Sequence, residues 1–130
     1  MGDSPSLIAV IDDYEPGCDA VSSLVRSAGY RCVTFRSAEA FLKDGREKDP
    51  GCILLDIRIP GMDGFDLHRA LIRMNWEIPI IYVTASSETH YREQAFRLGA
   101  AAFLPKPFHD EDLLNAIRNV LNGFDQTSGQ

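Results

Sequence analysis

Absences narrow the classes of protein to which this 130-residue chain can belong. It has no excess of basic residues, because 13 Lys and Arg stand against 19 Asp and Glu and give a net charge of −6. We therefore expect no direct binding of nucleic acid by this domain, since such binding needs a basic face. No apolar run approaches the roughly 20 residues that a membrane-spanning helix requires, and we expect no membrane segment.

Cysteine is scarce as well. The three cysteines, Cys18, Cys32 and Cys52, are odd in number and lack CxxC spacing. We expect reduced, buried thiols rather than disulfides or a structural zinc site. The first residues, MGDSPS, are too polar for a signal peptide, and the sequence thus favours a cytoplasmic protein.

The length of the chain fits one domain, because domains cluster at roughly 100 to 150 residues. We place that domain at residues 1–124 and expect the polar residues 125–130 to form a flexible tail. The composition, 45% apolar and 25% charged, is typical of a globular protein with one packed core.

Short apolar runs alternate with helical patterns along the chain. The runs lack the polar alternation of half-exposed strands, which favours strands buried on both faces of a parallel sheet. They cover residues 7–11, 32–35, 52–56, 78–83 and 101–104. Between them, apolar residues recur at helical spacing, as in residues 21–28 and 110–121. Five alternations predict a doubly wound α/β fold, a five-stranded parallel sheet with five helices on its two faces.

Cap and surface residues complete this prediction. Ser37 and Asp110 precede helical patterns, and both residue types accept hydrogen bonds from free backbone N–H groups, so we expect them to be N-caps. His68, His90 and His109 lack the spacing of metal ligands, and we expect them at the surface or near helix ends.

Polar side chains follow four of the five predicted strands. Asp12 and Asp13 end the first strand, Asp56 the third, Thr84 the fourth and Lys106 the fifth. Ligands of open parallel sheets bind outside the carboxyl ends of the strands, so these side chains are expected to meet at one edge. Three adjacent carboxylates repel by about 4 kcal/mol per pair at roughly 4 Å, and a cation must offset that repulsion. Oxygen ligands favour Mg²⁺ or Mn²⁺, and the hydroxyl and ammonium groups beside them suit a phosphoryl group.

Four motifs carry a resemblance to a known family. They are IDD near the start, LLDIRIPGMDG in the middle, IYVTA, and FLPKPF near the end. In combination they resemble the response-regulator receiver domains of two-component signalling. The resemblance implies the flavodoxin-like fold of the chemotaxis regulators, with strand order 2-1-3-4-5. It also implies a domain that takes a phosphoryl group from a phosphohistidine of a sensor histidine kinase.

The resemblance assigns roles to the residues at the sheet edge. Asp56 corresponds to the phosphoacceptor, and Thr84 and Lys106 correspond to the residues that contact phosphoryl oxygens. Asp12 and Asp13 correspond to the acidic pair that holds Mg²⁺, Asp13 more directly and Asp12 partly through water. Asp56 is itself a metal ligand in this scheme.

Three further positions are implied by the same resemblance. The backbone carbonyl of Arg58 corresponds to a protein ligand of the metal, and the bond from Lys106 to Pro107 is expected to be cis. The Arg58 side chain overlooks the acceptor, and we expect it either to tune phosphoryl lifetime or to pair with the acidic residues. Phe103 corresponds to an aromatic switch position, where many receivers have tyrosine. Because Phe103 has no hydroxyl, its signal must come from the position of the ring.

Phosphorylation is expected to change the surface of the domain. Thr84 would draw the loop at residues 85–87 towards Asp56, and Phe103 would rotate inward. The fourth helix, fifth strand and fifth helix then form the expected contact surface for an output domain, an effector protein or a dimer partner. In this reading the domain is no enzyme in the ordinary sense, since it catalyses only its own phosphorylation and slow dephosphorylation.

Two alternatives stay open. A degenerate receiver would act as a phosphorylation-independent interaction module, although every phosphorylation residue is present. An aspartate-nucleophile phosphatase of the haloacid-dehalogenase class also places its nucleophile after a strand. That class expects a second acid two residues later, where this chain has Arg58. Whether the chain is free-standing or part of a longer regulator is left open by its sequence.

Overall fold

Strands and helices alternate through the computed structural model, which describes residues 6–122. The strands are β1 (Leu7–Ile11), β2 (Arg31–Phe35), β3 (Cys52–Leu55), β4 (Ile80–Thr84) and β5 (Ala102–Pro105). The helices are α1 (Glu15–Ser27), α2 (Ala38–Lys48), α3 (Gly64–Arg73), α4 (Thr89–Leu98) and α5 (Asp110–Leu121). None of these helices is long and apolar enough to cross a membrane. The predicted domain end at residue 124 and the predicted tail at residues 125–130 lie outside the described residues.

The strands form one parallel sheet in the order β2-β1-β3-β4-β5. This confirms the predicted doubly wound fold and its strand order 2-1-3-4-5. Every residue of β1, β3 and β4 is buried, which explains why these segments read as continuous apolar runs. The fourth strand begins at Ile80 rather than at residue 78, because Pro79 has no N–H to donate to the ladder.

Helices cover both faces of the sheet, as predicted. Two separate groups of buried side chains show which helix packs on which face. On one face, the contacts of α1 and α5 come from Cys18, Val21, Val25, Leu113 and Ile117. On the other face, those of α2, α3 and α4 come from Phe41, Leu67, Leu71 and Ala95. Adjacent residues of β1 alternate between the two groups, with Ile8 and Val10 in one and Ala9 and Ile11 in the other.

The cysteines occupy these apolar layers. Cys18, Cys32 and Cys52 are free and buried, and their burial confirms that part of the expectation. Burial raises the pKa of the Cys52 thiol to about 12. This thiol is therefore uncharged at neutral pH and behaves as a small apolar side chain.

One of the two predicted helix caps is confirmed. The Ser37 side chain accepts a hydrogen bond from the backbone N–H of Ala40 and caps α2. Asp110 is not an N-cap: it is the first residue of α5, and His109 occupies the cap position without a side-chain hydrogen bond. A carboxylate in the first turn still interacts favourably with the positive end of the helix dipole, so Asp110 stabilises the same helix end by another route.

A buried polar pair lies between α3 and β4. His68 Nδ1 and the Tyr82 hydroxyl are 2.7 Å apart, and both side chains are buried. Burial lowers the pKa of His68, with the charge of Arg69 adding to the effect. The expectation of a surface or capping role is thus wrong for His68, whose neutral ring has a hydrogen-bond partner in the core.

Gly64 is the first residue of α3, where the helix passes close to the backbone after β3. A Cβ added at Gly64 would overlap the carbonyl oxygen of Asp56 and lie 3.0 Å from Ile57 Cα. The backbone N–H of Gly64 also donates to the Ile57 carbonyl at 2.9 Å. The absence of a side chain here lets α3 start directly beside the end of β3.

Gly64→Ala should lower the free energy of unfolding by about 1 to 3 kcal/mol, because the added methyl must displace backbone rather than a flexible side chain. Urea unfolding measures this change. Gly51→Ala is the matched control, since a Cβ there would meet only ordinary contacts, the nearest at 3.5 Å from Leu121 Cδ2. Equal stability of the two variants would contradict the close approach.

Candidate functional site

The carboxyl ends of β1, β3 and β5 bring three predicted site residues together. Lys106 Nζ donates to Asp12 Oδ2 at 3.0 Å and to Asp56 Oδ2 at 3.4 Å. The backbone N–H of Asp56 donates to the Ile11 carbonyl at 3.1 Å, which extends the pairing of β1 with β3 and sets Asp56 beside Asp12. The three side chains are mostly enclosed, with exposures of 7% for Asp12, 14% for Asp56 and 26% for Lys106.

Lys106 supplies the positive charge that these carboxylates need. Burial would lower the pKa of Lys106, but the hydrogen bonds to Asp12 and Asp56 and their negative charges outweigh burial and raise that pKa. The ammonium is therefore charged at neutral pH. Removing it would leave two enclosed carboxylates without their nearest cation, which is costly at such depth.

Thr84 ends β4 within the same edge of the sheet. Its side chain is fully buried, and its Oγ1 accepts a hydrogen bond from the backbone N–H of Ser86 at 3.0 Å. Its carbonyl accepts from the backbone N–H of Lys106 at 2.8 Å, which ties the ends of β4 and β5 together. As the hydroxyl oxygen accepts this bond, its own proton stays available for another acceptor. The bond from Lys106 to Pro107 is cis, as the resemblance implies.

Asp13 lies at the rim of the site rather than within it. It is exposed and lines a groove of about 560 Å³ together with Arg58 and Pro60. Within residues 6–122, no three carboxylate, imidazole or thiol groups converge closely enough to hold a metal by themselves. Mg²⁺ does not need such a cluster, because it keeps several waters and takes only one or two carboxylates. The enclosed pair Asp12 and Asp56, with Asp13 at the rim, therefore fits Mg²⁺.

The loop between β3 and α3 is held at both ends. Gly64 N–H donates to the Ile57 carbonyl, and the Met62 N–H donates to Glu39 Oε2 at 3.0 Å. Arg58, whose carbonyl is the implied metal ligand, lies between these two anchors. Glu39 is a residue that the sequence pattern did not single out, because its role depends on a contact from α2 to a distant loop.

The Arg58 side chain crosses to the neighbouring loop. Its Nε donates to Ser86 Oγ at 3.1 Å, and its Nη2 donates to the Tyr91 hydroxyl at 2.8 Å. None of the ion pairs within residues 6–122 involves Arg58. The expected pairing with acidic residues is thus not what this structure has. Tyr91 on α4 is a second residue that the sequence pattern missed.

Phe103 lies on β5 beside Tyr82 of β4. It is 7% exposed, and its ring centroid is 6.2 Å from that of Tyr82. The guanidinium of Arg92, from the first turns of α4, lies 5.8 Å from the centroid of the same ring. The ring is therefore directed inward in this structure, and α4 covers it.

Comparison with known proteins decides the family. The model of the response regulator receiver domain matches residues 8–118, which is most of the chain. The chain belongs to the response regulator receiver family. Similarity to known proteins and the motifs of the sequence thus agree: this is a receiver domain of two-component signalling, with a CheY-like fold.

Relatives extend the comparison to whole proteins. Response regulator protein TmoT of Ectopseudomonas mendocina is 43% identical over 121 residues, which cover 93% of this chain and 55% of TmoT. The solved structure of the response regulator StyR is similar with a TM-score of 0.83 and 36% identity, over 95% of this chain and 62% of that one. A solved structure named FixJ-N is similar with a TM-score of 0.84 and 30% identity, over 94% and 96% of the two chains. The receiver domain spans about half the length of the curated relatives it matches.

Proposed function

We propose that this receiver domain accepts a phosphoryl group on Asp56 from a phosphohistidine of a sensor histidine kinase. The observation that carries the proposal is the Lys106 ammonium, which hydrogen-bonds to both Asp12 and Asp56. An enclosed carboxylate at a strand end, with a cation on one side and a second carboxylate beside it, is arranged for charge stabilisation in phosphoryl transfer.

In the proposed reaction, a carboxylate oxygen of Asp56 attacks the phosphorus of the donor. An O–P bond forms, the N–P bond to the donor imidazole breaks, and the bonding electron pair stays on the imidazole nitrogen. Asp12, Asp13, Asp56 and the Arg58 carbonyl would hold Mg²⁺, which neutralises charge on the transferring oxygens when bound. Lys106 offsets the remaining negative charge from the β5 side.

The proposed switch uses Thr84 and Phe103. The hydroxyl proton of Thr84 is available to a phosphoryl oxygen on Asp56, and that bond would draw the loop at residues 85–87 inward. The ring of Phe103 is already directed inward here, which differs from the expectation that phosphorylation turns it inward. We therefore assign the switch to a shift between inward and outward ring positions. The surface of α4, β5 and α5 then differs between the two states.

The proposed partners follow from the class of protein. They are a sensor histidine kinase and an output domain or effector that contacts α4, β5 and α5, and the same surface is the proposed site of a dimer. Relatives of roughly twice this length support an output domain. The cytoplasm is the compartment that fits such partners, and Mn²⁺ is an alternative to Mg²⁺.

The two alternative functions have less support from the site. A module that binds partners without phosphorylation would not need Asp12, Asp56 and Lys106 enclosed together at one site. A phosphatase of the haloacid-dehalogenase class needs a second acid where Arg58 stands, and the Arg58 side chain is bonded to Ser86 and Tyr91 instead.

Labelling by acetyl phosphate tests the proposed function. With Mg²⁺ the protein should gain one phosphoryl group per chain, measured as the intact mass, and hydroxylamine should remove it because it cleaves acyl phosphates. Chelation of the metal should reduce the rate strongly. Absence of labelling would count against the proposal. So would labelling whose rate does not depend on Mg²⁺ and which hydroxylamine does not remove.

A further inference from the structure

A cavity of about 440 Å³ lies at the end of β4 that is remote from Thr84. Ile80, the first residue of this five-residue strand, lines the cavity, whereas Thr84 is the last residue. At about 3.3 Å per residue, the two strand ends are about 13 Å apart. Its lining also includes His68 of α3, the segment between α3 and β4, and Gly99 after α4. This His68 cavity is therefore separate from the site around Asp56.

The walls of the His68 cavity are mostly apolar and are held in place by the core. Leu71, Trp76 and Ile78 are among the lining residues. The Trp76 ring stacks on Phe41, with centroids 5.2 Å apart and 11° between the planes, and the Arg46 guanidinium lies 4.9 Å from its centroid. A wall fixed by such contacts exists before a ligand arrives, which lowers the entropy cost of binding.

One polar atom of the core faces this cavity. His68 is 6% exposed, lines the cavity, and has its Nδ1 2.7 Å from the Tyr82 hydroxyl. Its Nε2 has no hydrogen-bond partner within residues 6–122, although no fully enclosed side-chain nitrogen or oxygen of that range lacks one. Nε2 therefore lies at the accessible edge of the ring, and the surface along that edge is the cavity wall.

Tyr82 determines which nitrogen of His68 carries the proton. Burial raises the pKa of Tyr82, so its hydroxyl keeps its proton at neutral pH. His68 Nδ1 is the partner of this buried hydroxyl in the described part of the chain, and a buried hydroxyl proton needs an acceptor. Tyr82 thus donates to Nδ1, and the neutral His68 ring has its own proton on Nε2. The cavity wall therefore contains a free N–H donor.

The charges of the lining residues restrict the class of ligand. Glu77 lines the His68 cavity, and none of the described residues that line it is Lys or Arg. A carboxylate or phosphate group would meet a negative charge there without a lining cation to offset the repulsion. The apolar walls and the single N–H donor instead suit an apolar molecule with a hydrogen-bond acceptor.

We propose that the His68 cavity binds a small uncharged molecule with an apolar body and one acceptor oxygen, to which His68 Nε2 donates a hydrogen bond. This inference goes beyond the proposed function and does not depend on it. A protein that accepts no phosphoryl group could still bind such a ligand, and a phosphorylated receiver could lack the site.

The test compares three probes that differ at one group. Acetophenone has a ring and a carbonyl oxygen, ethylbenzene lacks the oxygen, and benzoate has a negative charge. Trp76 is the chain's only tryptophan, so its indole N–H gives one resonance in a ¹⁵N–¹H spectrum. Acetophenone should shift this resonance to saturation, ethylbenzene should bind several-fold more weakly, and benzoate should bind more weakly still.

A double variant assigns the preference to His68. His68→Phe combined with Tyr82→Phe removes both members of the buried pair and leaves neither polar group unpaired. It should bind acetophenone and ethylbenzene with equal affinity. His90→Phe, at an exposed position of α4, is the matched control and should keep the wild-type preference. If the double variant does not fold, the three probes on wild type decide the proposal by themselves.

Three results would overturn the inference. The first is the absence of a saturable shift with acetophenone, and the second is equal affinity of wild type for acetophenone and ethylbenzene. The third is tighter binding of benzoate than of acetophenone, because an anion site would then be present. The ¹⁵N shifts of the His68 ring give an independent check, since they should show a proton on Nε2 and none on Nδ1.

Discussion

Asp56→Asn should reduce labelling by acetyl phosphate to background. The substitution keeps the size of the side chain and an oxygen that can accept the Lys106 hydrogen bond, and so the site should stay folded. An amide oxygen is a weak nucleophile and forms no stable acyl phosphate, whereas a carboxylate oxygen can form one. Intact mass after incubation with Mg²⁺ and donor measures the difference.

Asp44→Asn is the matched control for this variant. Asp44 is an exposed acid on α2, and its replacement changes the net charge by the same amount. It should label at the wild-type rate. Labelling of Asp56→Asn at that same rate would show that the phosphoryl group is carried elsewhere, and the assignment of the acceptor would then be wrong.

Lys106→Ala should separate phosphorylation from switching. The attack needs the Asp56 oxygen and a cation near the transferring oxygens, and Mg²⁺ can supply that charge, so labelling should persist. Lys106 directly follows β5, and its ammonium donates a hydrogen bond to Asp56. The substitution would therefore remove this link between the acceptor and β5. Phosphorylation of wild type should alter amide hydrogen exchange in α4 and β5, and phosphorylation of Lys106→Ala should leave it nearly unaltered.

The same variant should respond to Mg²⁺ more strongly than wild type. Without Lys106, Asp12 and Asp56 lose their shared cation, and the free energy of unfolding in metal-free buffer should fall by about 1 to 3 kcal/mol. Mg²⁺ should then bind on the order of tenfold more tightly, since a competing positive charge is gone. Lys43→Ala, at an exposed position of α2, is the control. Unchanged Mg²⁺ affinity, or wild-type exchange changes on phosphorylation, would contradict this role of Lys106.

Much of the fold was predictable because its strands are buried on both faces. A strand such as β3 has no polar alternation to obscure it, and the alternation of strands with amphipathic helices leaves few topologies. The meeting of Asp12, Asp56 and Lys106 was predictable for a related reason. Each directly follows a strand of one parallel sheet, and the carboxyl ends of such strands lie at one edge.

Other features were not accessible from local patterns. The hydrogen bond from Arg58 to Tyr91 joins residues 33 positions apart in elements whose relative placement depends on the packing of whole helices. His68 was expected at the surface or near a helix end because it lacks the spacing of metal ligands, and its buried partner Tyr82 is 14 positions away on another element. The N-cap of α5 was predicted one residue too late, at Asp110 instead of His109, since helix starts shift by a residue without changing the periodicity.

The central claim is that Asp56 is the residue that carries the phosphoryl group. Borohydride reduction of the labelled protein converts an aspartyl phosphate to homoserine, and peptide mass spectrometry then locates the converted residue. Our account predicts homoserine at position 56 in protein treated with acetyl phosphate and Mg²⁺, and none there without the donor. Homoserine at another acidic residue, or a labelled protein that yields none at all, would contradict it.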